Sequence, residues 1–117
     1  MIRTIALATA LLTPVAAVAQ DLPTAPYLPL TMAVAAAQAA VDACAAEGYN
    51  VSVAIVARSG ETKVHLRADN AGPHTSGSST GKAFTSASMG RYTAGLAGFI
   101  GANPENGGLR DMDSRLV

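Results

Sequence analysis

His74 stands in the stretch DNAGPHTSGSSTGKAF, residues 69–84, amid glycines and serines with almost no large apolar side chain. The stretch reads in three ways: an ordinary surface loop, a phosphate-binding loop, or the mouth of a cofactor site. The phosphate loop fails on spacing. That motif is G-x-x-x-x-G-K-[ST], whereas here three residues separate Gly77 from Gly81, and Ala83 follows Lys82 where a Ser or Thr should reach magnesium. His65, His74 and the lone Cys44 fall on separate segments without the spacing of a protein-only metal site. A hydrolase triad has no support, because His74 is not matched by a G-x-S-x-G turn. Cys44 falls within an Ala-rich segment and suits a small buried hydrophobe better than a nucleophile.

A helix N-terminus after a glycine-rich loop is the remaining chemistry. It presents free N–H groups and a partial positive charge to an anion. Lys82 on the first turns and Arg67 at the end of the preceding strand add charge, and His74 stands at the mouth. Such a site fits a ligand with carboxylates that takes an imidazole. A solvated loop with a surface histidine accounts for the same residues.

The elements that must position these groups are legible in outline. Residues 21–29, DLPTAPYLP, form a proline-punctuated extended lead-in. Thr31 is the expected N-cap of an Ala-rich helix whose apolar face is Met32, Ala35, Ala36, Ala39, Ala43 and Ala46, with Gly48 closing it. A hairpin follows. Val51, Val53 and Ile55 alternate with Ser52, Ala54 and Val56, residues 58–61 make the turn around Gly60, and Val64, Leu66 and Ala68 return on one face. Lys63, His65 and Arg67 lie on the other face, which makes His65 a surface strand residue. A second helix is expected from about Ser78 to Met89, and a short glycine-softened one over YTAGLAGFIGAN. Residues 103–117 read as a polar loop that turns apolar at Leu116 and Val117, as if a further element were beginning.

The first nineteen residues are read apart from the domain. Arg3, a short apolar run interrupted by Pro14, and Ala17-Val18-Ala19 have the form of a cleavable secretory signal, too short to span a bilayer. This predicts a mature chain from Gln20, outside the cytoplasm, periplasmic or extracellular. The 117 residues hold eight Lys/Arg and eight Asp/Glu, and that balance argues against a nucleic-acid binder or a polybasic membrane anchor. One cysteine excludes an internal disulfide. With no Trp and 4% aromatic residues, each core side chain buries little area, so either support from a partner subunit or an incomplete domain is expected.

Certain runs carry a family resemblance: Leu30-Thr31 at the start of the first helix, Val53-Ala54-Ile55-Val56 before Gly60, RADNAGPHT over residues 67–75, and GKAFT over residues 81–85. Together they resemble the GlcG/HbpS-like family of haem-binding and haem-degrading domains, over about residues 30–113. There are departures. Ala57 stands where the family usually has an Asp before the turn, Tyr92 rather than Pro precedes Thr93, and the second helix opens on Gly, Ser and Thr. Family members also continue into a glycine-rich strand pair and a final helix, so the domain over residues 30–117 is expected to be incomplete at its C-terminal side.

The resemblance implies an α/β (α+β), profilin-like domain, an antiparallel sheet with helices packed on it, assembling as a homo-oligomer with haem near a subunit interface. His74 is then the first candidate for axial ligand to the iron. Thr93 matches a family threonine near the haem pocket, either a weak oxygen ligand or a pocket wall, and Arg67 and Lys82 would pair with the propionates. No acid–base pair in the sequence demands an enzyme. The alternative function is a non-enzymatic accessory or sensor protein of the cell envelope, binding another small organic acid or a sensor partner.

Overall fold

The computed structural model describes residues 21–117, so the signal-peptide reading lies outside the described residues. The lead-in is extended and exposed as far as Pro29. Its Tyr27 ring lies under the Lys63 ammonium at 3.8 Å, and Lys63 donates to the Leu28 carbonyl at 2.6 Å.

Helix α1 spans Leu30–Ala46. Its N-cap is Pro29, in extended conformation, rather than Thr31, which lies one residue inside the helix. Proline suits this boundary because its own ring disfavours helical continuation upstream. The buried residues are Ala33 and Ala37, with Ala40, Val41 and Cys44 half-buried beside them. The expected face is therefore wrong: Met32, Ala35, Ala36, Ala39, Ala43 and Ala46 are all exposed. In a helix this rich in alanine almost any stripe is apolar, so periodicity alone cannot set its rotation. Gly48, at φ +84°, ends it as expected.

Strands β1 (Ser52–Val56) and β2 (Thr62–Arg67) pair antiparallel, and they are the only sheet among the described residues. Val53 faces Leu66 and Ile55 faces Val64. The register slips between Ile55 and Val56, so that Val56 meets Thr62 and Lys63 is the extra residue of β2. Val53, Ile55, Val64 and Leu66 pack against Ala33 and Ala37 of α1, and this is the hydrophobic core under that helix.

Helix α2 spans His74–Met89, on the opposite face of the hairpin. It begins four residues before the expected start at Ser78, so most of the Gly/Ser stretch is helix rather than loop. The hydroxyls satisfy themselves along it: Ser79 Oγ and Thr80 Oγ1 donate to the Ser76 carbonyl, at 3.1 and 3.0 Å. Phe84 and Thr85 are its buried side chains. Helix α3 follows at Thr93–Ala102, burying Leu96 and Ile100, and a 3-10 helix runs over Pro104–Asp111 where a loop was expected. The final residues fold back on α2, and the Val117 amide donates to Thr85 Oγ1 at 3.0 Å. The architecture is α+β, as the sequence predicts, with a helix on each face of the hairpin.

Candidate functional site

The start of α2 is assembled by the turn between β2 and the helix. Ala71 is 2% exposed, and its amide donates to the Ala68 carbonyl at 3.0 Å. The Arg67 guanidinium donates to the Ala71 carbonyl, which ties the end of β2 to the turn. Thr75 then locks the first helical turn. Its amide donates to the Gly72 carbonyl at 3.0 Å, its hydroxyl donates to the same oxygen at 2.7 Å, and the same hydroxyl meets Ser52 Oγ of β1 at 2.7 Å. The helix entrance is therefore held to both strands.

His74 is the first residue of α2 and its side chain is exposed. The imidazole lies over Gly72: a Cβ on Gly72 would stand 2.8 Å from His74 Cε1 and 3.0 Å from Nδ1. Only glycine leaves the ring this seat. No acidic side chain lies in the first turn of α2, so the positive end of the helix is not neutralised there. Arg67 uses one of its five donors on Ala71 and keeps the others for an anion. The structure thus brings Arg67, the free N–H groups of α2 and the His74 imidazole to one edge of the domain.

Lys82 is elsewhere. It is exposed on α2 and lies eight residues beyond His74, about 12 Å along the axis at ~1.5 Å per residue. Thr93 begins α3 and is half-buried. It opens onto a groove of about 390 Å³ whose walls include Leu96, Ile100 and Val117, with Arg110 of the 3-10 helix among the lining residues. Arg67 lines a different groove, beside Gln38, Val41 and Asn70. One copy of the chain therefore offers a helix-entrance site and, separately, an apolar groove at Thr93.

The remaining chemistry-bearing residues do less. His65 is exposed, as read from the strand pattern, and its Nε2 is 3.4 Å from Ser79 Oγ. Cys44 is a half-buried free thiol on α1. No group of three or more His, Cys, Asp or Glu is placed to hold a metal ion among the described residues. Arg110 was not singled out from sequence, because it sits in a stretch whose composition signals only a polar loop.

Residues 28–115 match the family model described as "Haem degrading protein HbpS-like". This chain belongs to the HbpS-like family. Two solved structures support the assignment. A double mutant of HbpS from Streptomyces reticuli is 39% identical, with a TM-score of 0.76 over 92% of this chain and 71% of that one. A structure of HbpS is 40% identical, with a TM-score of 0.76 over 88% of this chain and 70% of that one. Among curated proteins no significant match is found. The fold expected from the resemblance is that of the HbpS structures.

The residues of the chain fit the group that the family name implies. An imidazole is a common haem donor, and here it is exposed and seated on glycine. The propionates would need cations, and Arg67 stands near the same helix entrance with donors to spare. The apolar body of the ring would need an apolar wall with a polar rim, and the groove at Thr93 has one.

Proposed function

We propose that this chain is a haem-binding protein in which His74 would donate to the iron and Arg67 would pair with a propionate, while Lys82 and Thr93 of another copy in an oligomer would supply a second propionate partner and a pocket wall. The observation that carries the reading is the His74 imidazole, exposed and seated on Gly72 at the positive end of α2, in a chain of the HbpS-like family. Bound haem supplies the iron chemistry of any degradation. The residues of the chain would bind and orient it: the imidazole would hold the iron, the cations would neutralise the carboxylates, and the apolar wall would exclude water.

Homo-oligomerisation belongs to the same proposal. Leu30 and Val34, one turn apart on the same side of α1, leave apolar side chains at 56 and 44% exposure. An apolar flank of this kind supports self-association. An oligomer also gives His74 of one copy a way to meet the Thr93 groove of another. The N-terminal residues read as a secretory signal support a periplasmic or extracellular setting. No helix among the described residues is long and apolar enough to cross a membrane.

A haem titration of wild type and His74→Ala, followed at the Soret band, tests the reading. Saturable binding by wild type and a shifted or lost band in the variant are expected. Identical spectra for the two would remove His74 from the iron.

A further inference from the structure

We infer that Arg110 is a carboxylate-binding residue, and that the groove between α3 and the 3-10 helix takes the carboxylate-bearing edge of a flat apolar ligand. The inference rests on the haem reading above and names a recognition contact which that reading does not contain. The groove has a volume of about 390 Å³, within the range of small-molecule sites, and its exposed lining is predominantly apolar. Leu96 and Ile100 form one wall, Val117 another, and Thr93 contributes the hydroxyl of a half-buried side chain.

Arg110 bears the one charged side chain that lines this groove. Among the described residues the only ion pair is Asp113–Arg115, at 2.6 Å, and Arg110 enters no side-chain hydrogen bond. Its guanidinium is exposed at the groove, with its whole planar fork unspent. An apolar slot with a single uncommitted guanidinium complements a ligand that is apolar over most of its area and anionic at one edge. A porphyrin with propionates has this form whether or not it carries iron. The contact is therefore organic recognition, independent of the metal and of His74.

The test uses the purified chain and three probes: haem, metal-free protoporphyrin IX, and the dimethyl ester of that porphyrin. Each is titrated into wild type, Arg110→Gln and Arg110→Lys, by absorbance for haem and by porphyrin fluorescence for the others. Among the described residues the Arg110 side chain makes no hydrogen bond or ion pair that its replacement would break, and circular dichroism should be unchanged in both variants. We expect Arg110→Gln to weaken haem and protoporphyrin alike by about tenfold, the size of one charge-assisted contact. Arg110→Lys should recover part of the loss, and the ester should bind wild type and Arg110→Gln equally. Wild-type binding with no change in Arg110→Gln would overturn the inference and leave the haem reading standing. Failure of wild type to bind either haem or protoporphyrin would overturn both.

Discussion

Phe84 of α2 lies directly on Gly60 of the hairpin turn: a Cβ at Gly60 would stand 2.6 Å from Phe84 Cε2 and 2.8 Å from Cδ2. Gly60 also sits at φ +85°, and its amide donates to the Ala57 carbonyl at 2.9 Å. One residue thus closes the turn and admits the ring that fastens α2 to it. Ser52 and Thr75 fasten the other end of the same helix. The orientation of α2, and with it the position of His74, follows from these two contacts.

Gly60→Ala should therefore cost more than Gly48→Ala. Both glycines have positive φ, at +85° and +84°, but nothing lies within 4 Å of a Cβ at Gly48. Left-handed backbone alone costs about 1–2 kcal/mol, and forcing the ring aside adds roughly 1–3 kcal/mol. Urea unfolding of the two variants measures the difference, and equal losses would show that Phe84 moves away freely.

Gly72→Ala should disturb the imidazole without removing it. The new methyl would meet Cε1 at 2.8 Å, so the ring must turn off its seat. Haem affinity is expected to fall by about tenfold, or ~1.4 kcal/mol, with helix content retained. Unaltered affinity and spectrum would mean that the seat over Gly72 is irrelevant to binding.

Thr85→Val tests how the final residues are held. Thr85 is 1% exposed, donates to the Gly81 carbonyl at 2.8 Å and accepts from the Val117 amide at 3.0 Å. Valine keeps the volume and deletes both bonds, at a cost of about 1–3 kcal/mol. The Val117 amide should then exchange with deuterium faster than in wild type, while amides of β1 keep their protection.

Asp113 carries the pH dependence of the same segment. Hydrogen bonding from the Arg115 side chain, and then from its amide, holds the carboxyl down from 3.8 to about 2. A depressed carboxylate stabilises the folded arrangement above pH 3.8, and the contribution is lost as pH falls through about 2. Arg115 also stacks on Phe84 at 4.0 Å, so acid should loosen the segment over that ring. A carboxyl titration by NMR should give a midpoint near 2 in wild type and a higher one in Arg115→Ala, still below the ordinary aspartate value because the amide of residue 115 remains a donor. The same midpoint in both would deny the pair.

The hairpin was readable because β-branched alternation and a turn glycine are local signals, and Val53, Ile55, Val64 and Leu66 face the core as their alternation predicts. The rotation of α1 was not readable. Ala33 and Ala37 are no more apolar than Ala35 and Ala36, and only the hairpin beneath them selects which pair is buried. The start of α2 was obscured by the low helix propensity of Gly, Ser and Thr, which tertiary anchors at Ser52 and Gly60 override. His74 stood out by type and setting, and its seat on Gly72 is a refinement that only coordinates supply. Arg110 gave no sequence signal, because its significance lies in the groove that it shares with Thr93.

Size-exclusion chromatography of the haem-treated chain, with absorbance recorded across the peak, tests the central claim most directly. The account predicts a saturable Soret band that elutes with the protein, in an oligomeric peak. A folded chain that elutes without a Soret band at every haem ratio would contradict it.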